Sequence, residues 1–171
     1  MRDPSKIIKI LCVLLGIGLI GLIVIIASVA EEANTKFILN IRSLIPEGIV
    51  TEELLLNDFE EALPGMWCNV LIFKINEESL HKIRNKELGF FKDQMPAEGW
   101  VAWKKYLPSD LNEAAKIPQG CFADVGKLKD EYGFSFSDNT EGYYTFVKDK
   151  KYSNISVFPD FGIVVYGSWT Y

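Results

Sequence analysis

The sequence holds few of the residues that do chemistry. Among 171 residues there is one histidine, His81, and there are three cysteines, Cys12, Cys68 and Cys121. No two cysteines have CxxC spacing and none stands with a histidine at zinc-ligand spacing, so no metal centre is expected. A glycine-rich phosphate loop and a Gly-Xaa-Ser-Xaa-Gly nucleophile elbow are both absent, which removes the usual scaffolds of nucleotide and serine-hydrolase chemistry. No cofactor is expected, and no residue is assigned a catalytic role. Internal repeats and low-complexity segments are missing as well. Basic charge is scarce: beyond residue 30 there are 15 Lys and Arg against 22 Asp and Glu, a formal charge of −7. Such a surface repels phosphates. The groups Lys82/Arg84/Lys86 and Lys148/Lys150/Lys151 read as solvated faces or turns, so no nucleic-acid partner is expected.

What the chain does have, first, is a long run without charge, Ile10 to Ala30. As a helix its 21 residues reach about 31 Å, the thickness of a bilayer's hydrocarbon core. Arg2, Lys6 and Lys9 precede it and Glu31 and Glu32 follow it, which predicts a cytoplasmic tail over 1–9, a signal anchor through the lipid bilayer over 10–30 and the rest outside, periplasmic or at the cell surface. The alternative is secretion after cleavage at Ala30, because Ser28 and Ala30 are small residues at the −3 and −1 positions of a cleavage site. The apolar stretch is longer than a usual signal h-region, which favours the anchor. Cys12 reads as an apolar residue of the span, and Gly16, Gly18 and Gly21 lack GxxxG spacing.

Residues 31–50 read as a partly helical juxtamembrane connection, and 51–171 as one extracytoplasmic domain. Outside the cytoplasm, Cys68 and Cys121 predict a disulfide. It closes a loop of roughly 54 residues, for which chain entropy gives about 4 kcal/mol; the competing reading is two buried thiols.

Thr51 as N-cap, Glu52 and Glu53 in a first turn, Val50 stapled to Leu55, an apolar face of Leu55, Leu56, Phe59 and Leu63, and a stop at Pro64-Gly65 together predict a helix. Met66 to Ile75 predicts a strand. A second helix follows, capped by Asn76, stapled by Ile75 and Leu80, and stopped at Gly89. Leu80, Ile83 and Leu88 point inward and His81 toward water. Trp100 to Tyr106 predicts a strand with Trp100, Ala102, Lys104 and Tyr106 on one face and Val101, Trp103 and Lys105 on the other. Short helices are expected from Ser109 or Asp110 through Ala115, ended by Pro118, and around Phe122, Val125 and Leu128. Asp138 to Gly142 reads as a polar turn. The runs Tyr143 to Val147, Tyr152 to Phe158 and Gly162 to Tyr171 predict a three-strand antiparallel meander. The expected fold is α+β: an N-terminal transmembrane helix, then one small domain with a mainly antiparallel sheet and helices on one face.

Two features bear on function. Alternation in the strands points some aromatic rings away from a helix-covered face, and Tyr144, Phe146 and Trp103 are the candidate binding face. The competing reading is that these rings fill the core. Glu52, Glu53, Asp58, Glu60 and Glu61 offer carboxylates at helical spacing, the basis of an alternative reading as an envelope hydrolase, against which a solvated helix face is the simpler account. Asn154-Ile-Ser156 matches a glycosylation sequon inside a predicted strand. The expected function is that of a single-pass membrane-anchored extracytoplasmic interaction module, with an envelope protein or glycan as partner and no specific ligand assignable.

Overall fold

A computed structural model of the chain describes residues 4–63, 65–85, 87, 94–106, 142–148 and 152–170. The chain forms two compact units, Met1–Asn40 and Ile41–Tyr171. In the first, nothing in the sequence interrupts a helix. Helix α1 (Pro4–Ser43) starts on a proline, whose missing N–H is harmless at a first helical position, and runs for 40 residues. From Leu14 onward it is long and apolar enough to cross a membrane. Between Leu14 and Val29 its large apolar side chains are exposed, as Leu15 is at 67%. The helix continues past Ala30 with a Lys36–Glu32 ion pair one turn apart. The expected helical character of the juxtamembrane connection therefore holds as far as Ser43.

The second unit begins in the last turn of that helix. Ile41, Ile45 and Ile49 are buried at a spacing of four, and the Arg42 guanidinium lies 5.2 Å over the Phe73 ring. Then comes the largest departure from the sequence reading: residues 51–63 are not a helix but strand β1 (Thr51–Leu63), paired antiparallel with β2 (Met66–Ile75). Helix propensity among Glu, Leu and Ala amounts to tenths of a kcal/mol per residue, whereas β2 is buried on both faces and needs a partner along each edge. Gly65, expected with Pro64 to stop a helix, instead lies at a hairpin turn with φ 82°, next to the register partners Leu63 and Met66; Pro64 lies outside the described residues. Register shifts between Thr51 and Leu54 and between Leu54 and Leu56 break the alternation. Leu55 and Leu56 thereby pack, side by side in sequence, against one cluster of Val70, Ile72, Phe158, Ile163 and Val165.

Helix α2 (Glu77–Arg84) begins as its sequence predicts. Asn76 is extended, and its Oδ1 accepts from the Ser79 N–H at 2.8 Å. Ile75, Leu80 and Ile83 are buried, and His81 is exposed. It ends earlier than expected, at the cap Asn85, whose N–H donates to the His81 carbonyl; Leu88 and Gly89 lie outside the described residues. Arg84 Nη2 donates to the Pro159 carbonyl at 3.1 Å, tying the helix end to a turn of the sheet. Ser79 is 2% exposed. Its hydroxyl donates to the Gly48 carbonyl and accepts from the Val50 N–H, so one side chain fixes the chain's entry into β1.

The remaining strands are β3 (Lys104–Tyr106), β4 (Gly142–Phe146), β5 (Tyr152–Phe158) and β6 (Ile163–Thr170). The sheet is antiparallel, in the order β1-β2-β6-β5-β4-β3. The meander β4-β5-β6 and the addition of strands near residues 70 and 102 match the expectation. Helices covering one face do not describe it fully: Leu71, Ile72 and Phe73 are successive and all 0% exposed, so both faces of β2 are covered. The expected helices at 109–115 and 122–128, and most of the turn at 138–142, lie outside the described residues.

Strict alternation fails at Trp100 to Tyr106. Lys104 pairs with Tyr144, while Trp100 bridges Val147. Four steps on one strand thus oppose three on the other. This extra residue puts Trp100 and Trp103, expected on opposite faces, at positions of the same face, and both are buried. The Thr145 hydroxyl, itself fully buried, holds the irregular stretch by donating to the Val101 carbonyl.

Two substitutions test this architecture. Ser79→Ala leaves the Val50 N–H and the Gly48 carbonyl without their buried partner and is expected to cost about 1 to 2 kcal/mol. At Gly142 an added Cβ would stand 2.8 Å from the Val157 carbonyl oxygen and 3.0 Å from the Phe158 ring, so Gly142→Ala is expected to cost about 1 to 3 kcal/mol through overpacking. Urea unfolding of the full chain in detergent, followed by near-UV circular dichroism, measures both. Midpoints unchanged in either variant would contradict the packing described.

Candidate functional site

The three aromatic residues singled out from the sequence do not form one surface. Lys104 pairs with Tyr144, so Trp103 takes the opposite face of the sheet from Tyr144 and Phe146. Trp103 is 5% and Tyr144 6% exposed, and only Phe146, at 37%, reaches solvent appreciably. Tyr144 and Phe146 do share a face: their rings stack at 6.3 Å and 14°, and Lys104 Nζ lies 5.7 Å over the Phe146 ring. In this part of the sheet the rings mainly fill the interior.

Beside them on that face are Asn154, opposite Phe146 and Gly167, and Ser156, opposite Tyr144 and Val165. Both are buried, and Asn154 Oδ1 and Ser156 Oγ have no hydrogen-bond partner among the described residues. They are the two ends of the sequon. Their place in an interior strand closes it to a glycosylating enzyme in the folded state.

The carboxylates lose the arrangement that a hydrolase reading needs. Glu52, Glu53, Asp58, Glu60 and Glu61 lie in strand β1 rather than at helical spacing, and Glu60 and Glu61 are register partners of Cys68 and Trp67. His81 is exposed and lies within 3.1 Å of the Asn85 amide nitrogen. Cys68 is 3% exposed in β2. Glu78, hydrogen-bonded to Lys82, has its carboxyl held below the usual value; this is a surface pair of α2. Among the described residues no three His, Cys, Asp or Glu side chains are grouped to hold a metal ion. An open groove on α1, lined by Leu14, Leu15, Gly18, Leu19 and Leu22, carries no reactive group. Cys68 lies in β2, and Cys121 lies outside the described residues.

The surface feature that the sequence reading missed is on the hairpin. Phe59 pairs with Asn69 and Glu61 with Trp67, which makes Phe59 and Trp67 diagonal neighbours across β1 and β2. Their rings stack at 5.2 Å and 10°, yet they are 62% and 42% exposed. A helix over 51–63 would have turned Phe59 inward with the leucines. The signal that finds the pair is Pro64-Gly65 taken as a hairpin turn, which brings the two aromatic residues back to back across it. A rigid, exposed aromatic pair binds by area and by π-face contact rather than by chemistry. The chain matches no family model, no curated protein and no solved structure.

Proposed function

We propose that the chain is a single-pass membrane protein of the cell envelope, its amino terminus cytoplasmic and its folded unit extracytoplasmic, that works by binding a protein partner. The observation that carries this reading is the Phe59–Trp67 stack, which leaves two large rings 62% and 42% exposed. Phe146, under Lys104, is a secondary contact. Support for the anchor comes from the apolar, outward-facing part of α1, and for the orientation from Arg2, Lys6 and Lys9 ahead of it. A Cys68–Cys121 disulfide belongs to the same reading, because the extracytoplasmic compartment it assigns favours pairing of two cysteines.

Two measurements test it. Tagged full-length protein, purified from its own membranes in mild detergent, is expected to bring down a stoichiometric partner that falls about tenfold with Trp67→Ala or Phe59→Ala, at unchanged circular dichroism. A partner retained in both variants would move the contact surface elsewhere, and a clean isolated chain would point to a glycan or small ligand. In a Cys12→Ser background, thiols blocked at lysis are expected to leave Cys68 and Cys121 unlabelled until reductant is added. Full labelling without reductant would remove the disulfide.

A further inference from the structure

The small residues that resemble a cleavage motif lie inside a helix. Ser28 and Ala30 have the side chains expected at the −3 and −1 positions of a leader-peptidase site, and the bond at issue joins Ala30 to Glu31. A peptidase takes its substrate as an extended strand, in which residues two apart point to the same side, so both small side chains enter the enzyme together. Helix α1 gives them a different geometry. It is continuous from Pro4 to Ser43, and at 3.6 residues per turn side chains two positions apart stand about 200° apart around the axis. Presenting Ser28 and Ala30 together therefore requires the helix to open.

Position opposes that opening. Helix ends fray readily, whereas an interior turn gives up hydrogen bonds on both sides when it unwinds, and here residues 31–43 continue the helix beyond the motif. The far end is also pinned, because Ile41 is 4% exposed and the Arg42 guanidinium lies 5.2 Å over the Phe73 ring. Ser28 spends its hydroxyl inside the helix, donating to the Val24 carbonyl at 2.9 Å. Past the bond, Lys36 Nζ lies 2.6 Å from Glu32 Oε1. No glycine or proline occurs between Gly21 and Pro46 to weaken the stretch. We infer that the Ala30–Glu31 bond is a latent leader-peptidase site, kept closed by the continuity of α1, and that this closure retains the folded unit on its span. The inference rests on the anchor reading above and says how the anchor is kept. In the reaction withheld, the C–N bond breaks as water gives its oxygen to the Ala30 carbonyl carbon and both hydrogens to the Glu31 nitrogen. The products are an Ala30 carboxylate and a Glu31 ammonium terminus.

The test uses full-length protein tagged at its carboxyl end, collected from its own membranes and from the surrounding medium, with the amino terminus located by intact mass. Wild type is expected to keep the residues ahead of Ala30. Ala33→Pro deletes the N–H that reaches the Val29 carbonyl, crowds that carbonyl and drives Glu32 out of the helical region, while residues 28–32 keep their identities. It is expected to raise the fraction beginning at Glu31 about tenfold or more. Adding Ala30→Leu, too large for the −1 position, is expected to abolish that product. An Ala33→Pro chain as intact as wild type, a new terminus other than Glu31, or cleavage that survives Ala30→Leu overturns the closure; while wild type stays whole, the anchor reading stands in each case. Wild type that already begins at Glu31 removes the anchor and the closure together.

Discussion

The antiparallel ladder between β2 and β6 is the contact on which the rest of the folded unit depends. It joins residues 67–74 to residues 163–170, partners separated by most of the domain's sequence. On one side of it lies the hairpin β1-β2 and on the other the meander β4-β5-β6 with β3 at its far edge. Without it the hairpin β1-β2 is an isolated two-stranded ribbon, marginally stable at best in water. Forming the ladder requires closing a long loop before any contact is gained. The fully buried residues are concentrated there: Leu71, Ile72 and Phe73 on β2 face Tyr166, Val165 and Val164 on β6.

Burial on both faces of that ladder determines where aromatic side chains go. Along β4 and the irregular stretch before β3, rings are drawn into the interior, and one extra residue between Trp100 and Lys104 is enough to bring both tryptophans in. At the hairpin end β1 is the outermost described strand, and Phe59 and Trp67 stay exposed although Trp67 pairs with Thr170 on β6. Residue type alone thus does not decide surface character. The same reasoning accounts for the buried sequon, since Asn154 and Ser156 belong to β5, which neighbours β6.

Much of the framework was legible in the sequence because its signals are local. Asn76 caps α2 by a hydrogen bond spanning three residues, and β2 and β5 have the limits that their β-branched and aromatic runs predict. The candidate site was not legible. Alternation counted from Trp100 misplaces Trp103, because a bulge shifts that count by one, while Tyr144 and Phe146 share a face as alternation within their own strand predicts, with Tyr144 buried. Phe59 was hidden by a helix reading in which Thr51, Glu52, Glu53 and Pro64-Gly65 each fitted a helical role. Cap residues and hairpin residues overlap in kind, and only the neighbour that the segment meets tells them apart.

By itself the sequence determined the uncharged run that makes the amino-terminal part of α1 an apolar helix, the acidic balance beyond it, the class of the fold and the strand character of β2 and β5. These follow from hydrophobicity and backbone preference, which act within a few residues. Tertiary structure alone decided that 51–63 is a strand, that Trp100 and Trp103 share a face, that Asn154 and Ser156 are inside and that Phe59 and Trp67 are outside. Each of these depends on which strand lies alongside and in what register, and pairing energy shared along a ladder outweighs the tenths of a kcal/mol per residue that local propensity supplies.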